Sequence, residues 1–581
     1  ENENITFTSS KLPFIYALKM ALRSLGVKPF RLILTILIMA FTAVFLGLSF
    51  NFFLFNDTAF GLQTLEANDQ KIIDISKIDG TKEIDLTPED LTNLENIDGS
   101  IVNPVYTFGI GNQTLKISFN DEHKNDRYFF EQTPAISKII EVHDERVLEN
   151  LMGSAPTADN EIVIHRYLGD YILKYGIIDE EGNTYQPASF EELIADHKTI
   201  LLENIPVTIS GILLDDSSLY DPYRKSGLFP STALKNYYSS TYANKGSTIY
   251  VKDKSYIENA YLKVENILQN TYLMDTNYLT THNLKFISEP VTIITKDGEE
   301  IRNNLQKIEV VLSAEFLAES DATFKENYTA YLTDETALKE YIKSYLQTAF
   351  TNQNLLLHTP TSEFSMITKV VGITLEQTSY LSTDILTEIE EKSTRIINGR
   401  IYEDDSEKMS KLLENAKLVY VSGYPTAYYY ADTGFEQVPD VINIYFNLRY
   451  VILIIALIFT IFAILLFANY LTTSIMYAKK EIGILRALGT STKDVAKIFL
   501  YETSIISIIS YLFFLIFYYL LCTLLNNFVN QHIFYTMQVI LNNPLVLIYV
   551  FLFILAISLL ITSTSLHKIT RIKPIDAILN K

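Results

Sequence analysis

One cysteine, Cys522, stands among 581 residues. That excludes an intramolecular disulfide and any Cys-rich zinc or iron–sulfur site, so each domain must be held by an ordinary apolar core. Positive charge is also short: 47 Lys plus Arg stand against 68 Asp plus Glu, a formal net charge of −21. Nucleic acid needs a basic surface, so it is excluded as a partner. Catalytic signatures are missing as well. The sequence has no G-x-x-x-x-G-K-[ST] phosphate loop, no H-E-x-x-H, no G-x-S-x-G and no G-x-G-x-x-G. The eight His residues are scattered, and His143-Asp144-Glu145, the one local His–acid cluster, lacks metal-ligand spacing. No catalytic residue, metal ligand or cofactor site is assigned to the chain.

What is present is apolar length. A membrane helix needs about 20 apolar residues, because the hydrocarbon is roughly 30 Å thick. Four windows meet that length without a charged residue: Leu32–Phe55, Tyr450–Met476, Ile505–Leu525 and Leu545–Leu566. The first is too long for a signal-peptide core and no small-x-small cleavage site follows it, so it reads as a retained anchor. Lys11, Lys19, Arg23, Lys28 and Arg31 precede it, and Lys479, Lys480, Arg486, Lys493 and Lys497 lie between the second and third windows. The segment Asn526–Asn543 carries no Lys or Arg, and the tail carries Lys568, Arg571, Lys573 and Lys581. By the positive-inside rule, both ends lie in the cytoplasm and residues 56–445 lie outside a plasma membrane. With no ionisable side chain at depth, the spans make a poor proton relay.

The expected fold is an α-helical membrane domain of four transmembrane helices, with a large mixed α/β extracellular domain inserted between the first and second spans. The division is 1–31, a cytoplasmic linker and interfacial helix; 32–55, the first span; 56–445, the extracellular domain with one or two lobes and a terminal stalk helix; and 446–476, the second span. Then follow 477–497, a cytoplasmic helix loop; 498–525, the third span; 526–543, a short outer loop; 544–566, the fourth span; and 567–581, a cytoplasmic tail. Residues 56–445 hold 62 of the acids and 32 of the bases, a net charge of −30. Strand-like runs there include Glu161–Ile164, Val207–Leu214, Thr248–Val251, Val291–Thr295, Lys307–Ser313, Met366–Ile373 and Leu418–Ser422, with helical periodicity over Thr333–Ala349 and Thr383–Ile397. Val207–Ile212 and Thr368–Ile373 are both apolar and both end in Gly-Ile, which is a structural repeat or a coincidence. Tyr428-Tyr429-Tyr430 is either a gripping surface for peptide or glycan, or strand residues with wet hydroxyls. From Asp440 the chain enters the second span without Pro or Gly, as one continuous helix would.

Two cytoplasmic stretches are amphipathic. Residues Leu12–Gly26 place Phe14, Leu18, Ala21, Leu22 and Leu25 on one side and Lys19 and Arg23 on the other, as in a helix lying flat at the membrane surface. In Lys479-Lys480-Glu481-Ile482-Gly483-Ile484-Leu485-Arg486-Ala487-Leu488-Gly489, the residues Ile482, Leu485 and Leu488 share a face suited to a partner's groove. This reads as a short basic helix ended by Gly489, with Ser491 or Thr492 capping the next. Glu502, at the mouth of the third span, is either an interfacial carboxylate in reach of water or a partner for Lys or Arg of the neighbouring helix.

Three stretches carry a family resemblance. Ala17–Leu25 with Arg31-Leu32-Ile33-Leu34-Thr35, Lys480–Gly489 with Phe499-Leu500-Tyr501-Glu502, and Lys573-Pro574-Ile575-Asp576-Ala577-Ile578-Leu579 resemble the FtsX/MacB-type permeases, the four-span, type VII-like class of ABC transporter membrane subunits. The resemblance implies a chain with no catalytic site that works as a homodimer or pseudo-dimer with two ABC ATPases, which bind ATP and Mg. It makes Lys479–Gly489 the coupling helix seated on the ATPase. It also implies mechanotransmission, in which ATPase motion drives an external domain to export peptide, lipopeptide or lipid-like substrate. The alternative is a non-transporting transmitter that switches a cell-wall hydrolase or sensor partner. The external region is much larger than in the cell-division members, and its lack of cysteine suits a Gram-positive surface. The ATPase is a separate subunit or a fused domain ahead of Glu1–Ser10.

Overall fold

A computed structural model describes residues 13–26, 29–108, 114–120, 133–203, 205–214, 219–226, 229–261, 268, 271–274, 279–348, 355–358, 365–386, 394–487, 489–533, 535–541 and 543–570. The chain forms two compact units, Glu1–Gln70 with Phe435–Lys581 and Lys71–Gly434.

The first unit is helical: α1 (Phe14–Leu25), α2 (Pro29–Phe53), α3 (Asp57–Ala67), α4 (Gln437–Ala487), α5 (Thr492–Asn530) and α6 (Pro544–Thr570). Among the described residues, α2, α4, α5 and α6 are the four helices long and apolar enough to cross a membrane. Their packing uses small residues and hydroxyls, as expected where lipid gives no hydrophobic drive between helices. Gly47 on α2 lets Phe514 and Tyr518 of α5 approach, since a Cβ there would lie 3.0 Å from the Phe514 ring. Phe45 of α2 stacks on Phe459 of α4 with centroids 4.9 Å apart. The α5–α6 seam carries two hydroxyl pairs, Ser507–Ser558 at 2.6 Å and Thr503–Thr562 at 3.0 Å.

The second unit, lying in the chain between the first and second spans, is mixed α/β. Its larger sheet includes β1 (Ile72–Asp79), β2 (Val102–Phe108), β3 (Lys138–Glu141), β4 (Leu151–Gly153), β5 (Glu161–His165), β6 (Thr199–Leu202), β7 (Ile205–Leu213) and β8 (Thr248–Val251). The smaller sheet includes β9 (Val291–Thr295), β10 (Glu309–Ser313), β11 (Leu355–His358), β12 (Ser365–Thr374) and β13 (Ser379–Leu381). The larger sheet also includes β14 (Thr394–Tyr402), β15 (Ala416–Lys417) and β16 (Tyr428–Asp432), with β14 beside β1 and β2.

The two Gly-Ile runs are the same strand of a repeated unit. In the first copy β6 and β7 form a hairpin, β7 runs parallel to β5, and β5 pairs antiparallel with β8. In the second copy β11 and β12 form the hairpin, β12 runs parallel to β10, and β10 pairs antiparallel with β13. The defects match as well. The parallel register skips Ser210 just before Gly211 and Val371 just before Gly372. A preceding strand crosses each glycine, and a Cβ would come 2.8 Å from the Ser154 carbonyl in one copy and 3.1 Å from the Ile294 carbonyl in the other. The glycines are therefore set by close backbone approach. In both copies the last residue of the parallel strand caps the following helix: His165 accepts from the Tyr167 N–H and Ser313 from the Phe316 N–H.

Two sequence expectations are corrected here. Leu418–Ser422 is not a strand; only Ala416–Lys417 pairs, after which Leu418 and Val419 bury without a ladder partner and the chain turns at Gly423, φ +78°. Thr383–Ile397 is not one helix, because Thr394–Ile397 opens β14, where β-branched Thr394, Ile396 and Ile397 favour the pleated surface. Residues 387–393 of that stretch lie outside the described residues.

Asp90 ties this core together. It sits in the first turn of the helix Pro88–Asp98, in a capping box with Thr87. It accepts from Lys77 of β1 at 2.6 Å and from the Tyr429 hydroxyl of β16 at 2.9 Å. Burial alone would push its carboxyl up, but the donors outweigh burial and hold it at about 2 against an ordinary 3.8. Folding therefore favours the ionised form, and the contribution, about 2 kcal/mol, is present above pH 4 and lost as pH falls from there to 2. Acid unfolding of Asp90→Asn is expected to show a shallower loss of stability across that window than the natural chain. Identical pH profiles would remove Asp90 from this role.

Candidate functional site

The candidate site is the end of the helical unit where α1, the last turns of α4 and the first turns of α5 meet. The basic segment expected as a short separate helix is instead the continuation of α4, which spans 51 residues. No Pro interrupts the ladder after Pro439 near its start, and Gly483 is buried within it. Lys479, Lys480, Glu481, Ile482, Gly483, Ile484, Leu485 and Arg486 all lie on this rod, and Ala487 ends it. Leu488 lies outside the described residues, as does the Lys573–Leu579 stretch. Gly489 then takes φ +93°, and the Ser491 side chain caps α5 by accepting from the Asp494 N–H. Along the rod Ile482 is buried, Leu485 and Arg486 are half-buried, and Lys480, Glu481 and Ile484 are exposed. The exposed strip is thus charged with one apolar member.

Helix α1 packs differently from the expected apolar face. Its buried residues are Ala17, Ala21 and Leu25, and the two alanines meet Ile498 of α5. Phe14 and Leu22 are 60% and 54% exposed, and Leu18 is half-buried. Small residues let the helix approach α5 closely, which leaves large apolar side chains on the outward face, as suits a helix in contact with lipid. Phe14 still meets the Tyr501 ring edge-on at 5.2 Å. Arg23 is exposed.

Glu502 joins the three helices. It is wholly buried. Its carboxylate accepts from Ser474 Oγ at 2.8 Å and Tyr470 OH at 3.2 Å on α4, and from Ser24 Oγ on α1 at 3.1 Å. Ser24 and Ser474 also lie 2.8 Å apart. Both expectations for Glu502 are corrected: it is not open to water, and its partners are hydroxyls, not Lys or Arg. The physical reason is position, since α1 covers the mouth of the span and brings a serine to it. Ser24, Tyr470 and Ser474 were missed from the sequence. The available signal was the i, i+4 spacing of Tyr470 and Ser474, which puts two hydroxyls on one face of an otherwise apolar helix. Beside this knot a cavity of about 360 Å³ opens between the three helices, with Arg23, Ser24, Ser474, Glu481, Leu485 and Phe499 among its walls. Among the described residues no cluster of His, Cys, Asp and Glu could hold a metal ion.

Residues 453–574 match the family model of the FtsX-like permease C-terminal domain. Over this stretch the chain is similar to the FtsX-like permeases. The match contains most of α4, all of α5 and α6, and so Tyr470, Ser474, the Lys479–Ala487 end of the rod and Glu502; Ser24 and α1 lie outside it. No curated protein matches the chain. The four apolar helices together with this match mark the chain as a multi-pass membrane protein. The matched family comprises non-catalytic ABC-type permeases and signal transmitters that work with a partner ATPase.

Glu502→Leu would remove the acceptor of three hydroxyls, that of Tyr470 buried and those of Ser24 and Ser474 half-buried. The detergent-solubilised protein is expected to lose about 2 kcal/mol or more of stability and to become more sensitive to trypsin at Arg23 as α1 loosens. Ser24→Ala combined with Glu502→Leu should cost less than the sum of the two single changes. Unchanged melting and cleavage would show that the knot does not hold α1.

Proposed function

We propose that the chain is the membrane subunit or domain of an ATP-driven ABC system, oriented with α1 and the α4–α5 turn in the cytosol and Lys71–Gly434 outside the cell membrane. The ATPase, which supplies ATP and Mg chemistry, docks on Lys479–Gly489. A second permease copy completes the assembly. Motion at the docking strip is delivered to the external unit and does mechanical work on a peptide, lipopeptide or lipid-like substrate there. The observation that carries this reading is α4. One unbroken helix runs from Gln437, three residues beyond the external unit's last residue, through the apolar span to Ala487 beside the strip. At about 1.5 Å per residue such a rod is roughly 76 Å long, more than twice the hydrocarbon thickness. A helix of that length carries displacement from one end to the other without a soft joint.

The charged strip supports the docking assignment. Glu481 is exposed and Arg486 half-buried on the rod. Reconstitution of the permease with its ATPase tests it. Glu481→Ala and Arg486→Ala should each cut permease-stimulated ATP hydrolysis by about tenfold, the effect of losing one charge-assisted contact of roughly 1.4 kcal/mol or more, while melting stays unchanged. Full stimulation in both variants would place the ATPase elsewhere.

A further inference from the structure

At the other end of the helical unit, where α2 ends and α6 begins, lies a cavity of about 440 Å³. It is lined by five carboxamides, Asn51, Asn56, Gln63, Gln538 and Asn543, and by Leu54, Phe55, Ala59, Leu541 and Pro544. No acid, base or histidine is among them. The size falls within that of small-ligand clefts, roughly 300–1,000 Å³.

The carboxamides divide into those already engaged and those on offer. Asn51 builds the floor. It is buried, donates to the Leu541 carbonyl at 2.7 Å and to the Tyr518 hydroxyl at 3.2 Å, and accepts from Tyr445 OH at 3.2 Å. The single Tyr445 hydroxyl hydrogen is shared with the Val539 carbonyl at 2.6 Å, so α2, α4, α5 and residues 539–541 are pinned together around the cavity. The side-chain oxygens of Asn56 and Asn543 accept from backbone N–H groups of Ala59 and Leu545, which fixes both side chains and leaves their amino groups available. Gln63 and Gln538 have no hydrogen-bond partner among the described residues, and Gln63 is half-buried while Gln538 is exposed.

We propose that this cavity binds an uncharged, hydroxyl-rich ring, a sugar, either free or carried on a lipid. A carboxamide offers a donor and an acceptor side by side, which matches vicinal hydroxyls that both give and take hydrogen bonds. The absence of formal charge from the walls disfavours phosphate, carboxylate and ammonium groups, none of which would find a counter-charge. Leu54, Leu541 and Pro544 supply apolar surface for the C–H face of a ring. The cavity lies just past the apolar ends of α2 and α6, at the depth where headgroups stand, so the lipid-carried form has the easier approach. The site stands on the geometry of the helical unit alone; only its assignment to the outer leaflet rests on the topology proposed above.

The chain contains no Trp, so Leu541→Trp gives a single reporter on the cavity wall. The full-length permease carrying it would be titrated with methyl β-glucoside in detergent, and placed in nanodiscs of phosphatidylglycerol with or without diglucosyl diacylglycerol. A saturable emission change with the free glucoside assigns a soluble sugar, and one seen only with the glycolipid assigns a lipid headgroup. In either case Gln63→Leu with Gln538→Leu should weaken the response by about tenfold, the loss expected for two hydrogen bonds, with melting unchanged. The proposal is overturned by no response to either sugar, by an equal response to neutral triglycine, or by a response the double variant leaves intact. Sidedness is read separately in sealed proteoliposomes of known orientation, where sugar reaching Trp only from the cytosolic face would contradict the topology and not the site.

Discussion

Within the hydrocarbon every backbone N–H and C=O must find its partner inside the chain, because no water is there to replace it. In α4 that requirement fixes more than a span. Once the ladder is closed through the apolar stretch, nothing in the sequence opens it until Gly489, and the helix carries on for three turns of charged residues. The strip of Lys480, Glu481 and Ile484 is rigid because it is the end of a membrane helix, not a loop attached to one. The other features of the helical unit serve this rod: α2 packs along it, and α1 and α5 are fastened to its end.

The fastening is polar at both ends of the bundle. Apolar side chains gain little by leaving lipid for one another, so specificity between spans comes from close approach and from hydrogen bonds. Glu502 with Ser24, Tyr470 and Ser474 gathers three helices at the α1 end. Asn51 with Tyr445 and Tyr518 gathers three helices and a loop at the other. Between them lie the shorter hydroxyl pairs of α5 and α6. A buried polar group with its partners met sets register, and the same group unmet is costly. This makes the knots the places where relative motion of helices would have to be permitted or refused.

The four spans and the mixed α/β unit between the first two were legible because they rest on length and hydropathy, which are local. The repeat in the unit Lys71–Gly434 was half-legible. Gly211 and Gly372 stood out as Gly-Ile endings, but the matching bulges at Ser210 and Val371 and the crossing strands appear only when distant segments pair. Leu418–Ser422 and Thr383–Ile397 misled because apolar periodicity reports burial, not the partner that buries it. At the site, the charged strip was readable from its residues. The hydroxyl cage of Glu502 was not, since Ser24 lies 478 positions from its partner and nothing in either neighbourhood announces the other. The carboxamide cavity escaped for the same reason: its walls come from the end of α2, from α3 and from the loop before α6.

The central claim is that α4 transmits displacement as a rigid element. The direct test inserts Gly-Ser-Gly after Asn447, where α4 has left the unit Lys71–Gly434 in sequence but has not yet entered the apolar span, in the protein reconstituted with the proposed ATPase. Amide hydrogen exchange is then followed across residues 71–434 with and without ATP, together with ATP hydrolysis. The account predicts that hydrolysis continues while the ATP-dependent change in exchange disappears. An ATP-dependent change as large as in the uninterrupted chain would contradict it.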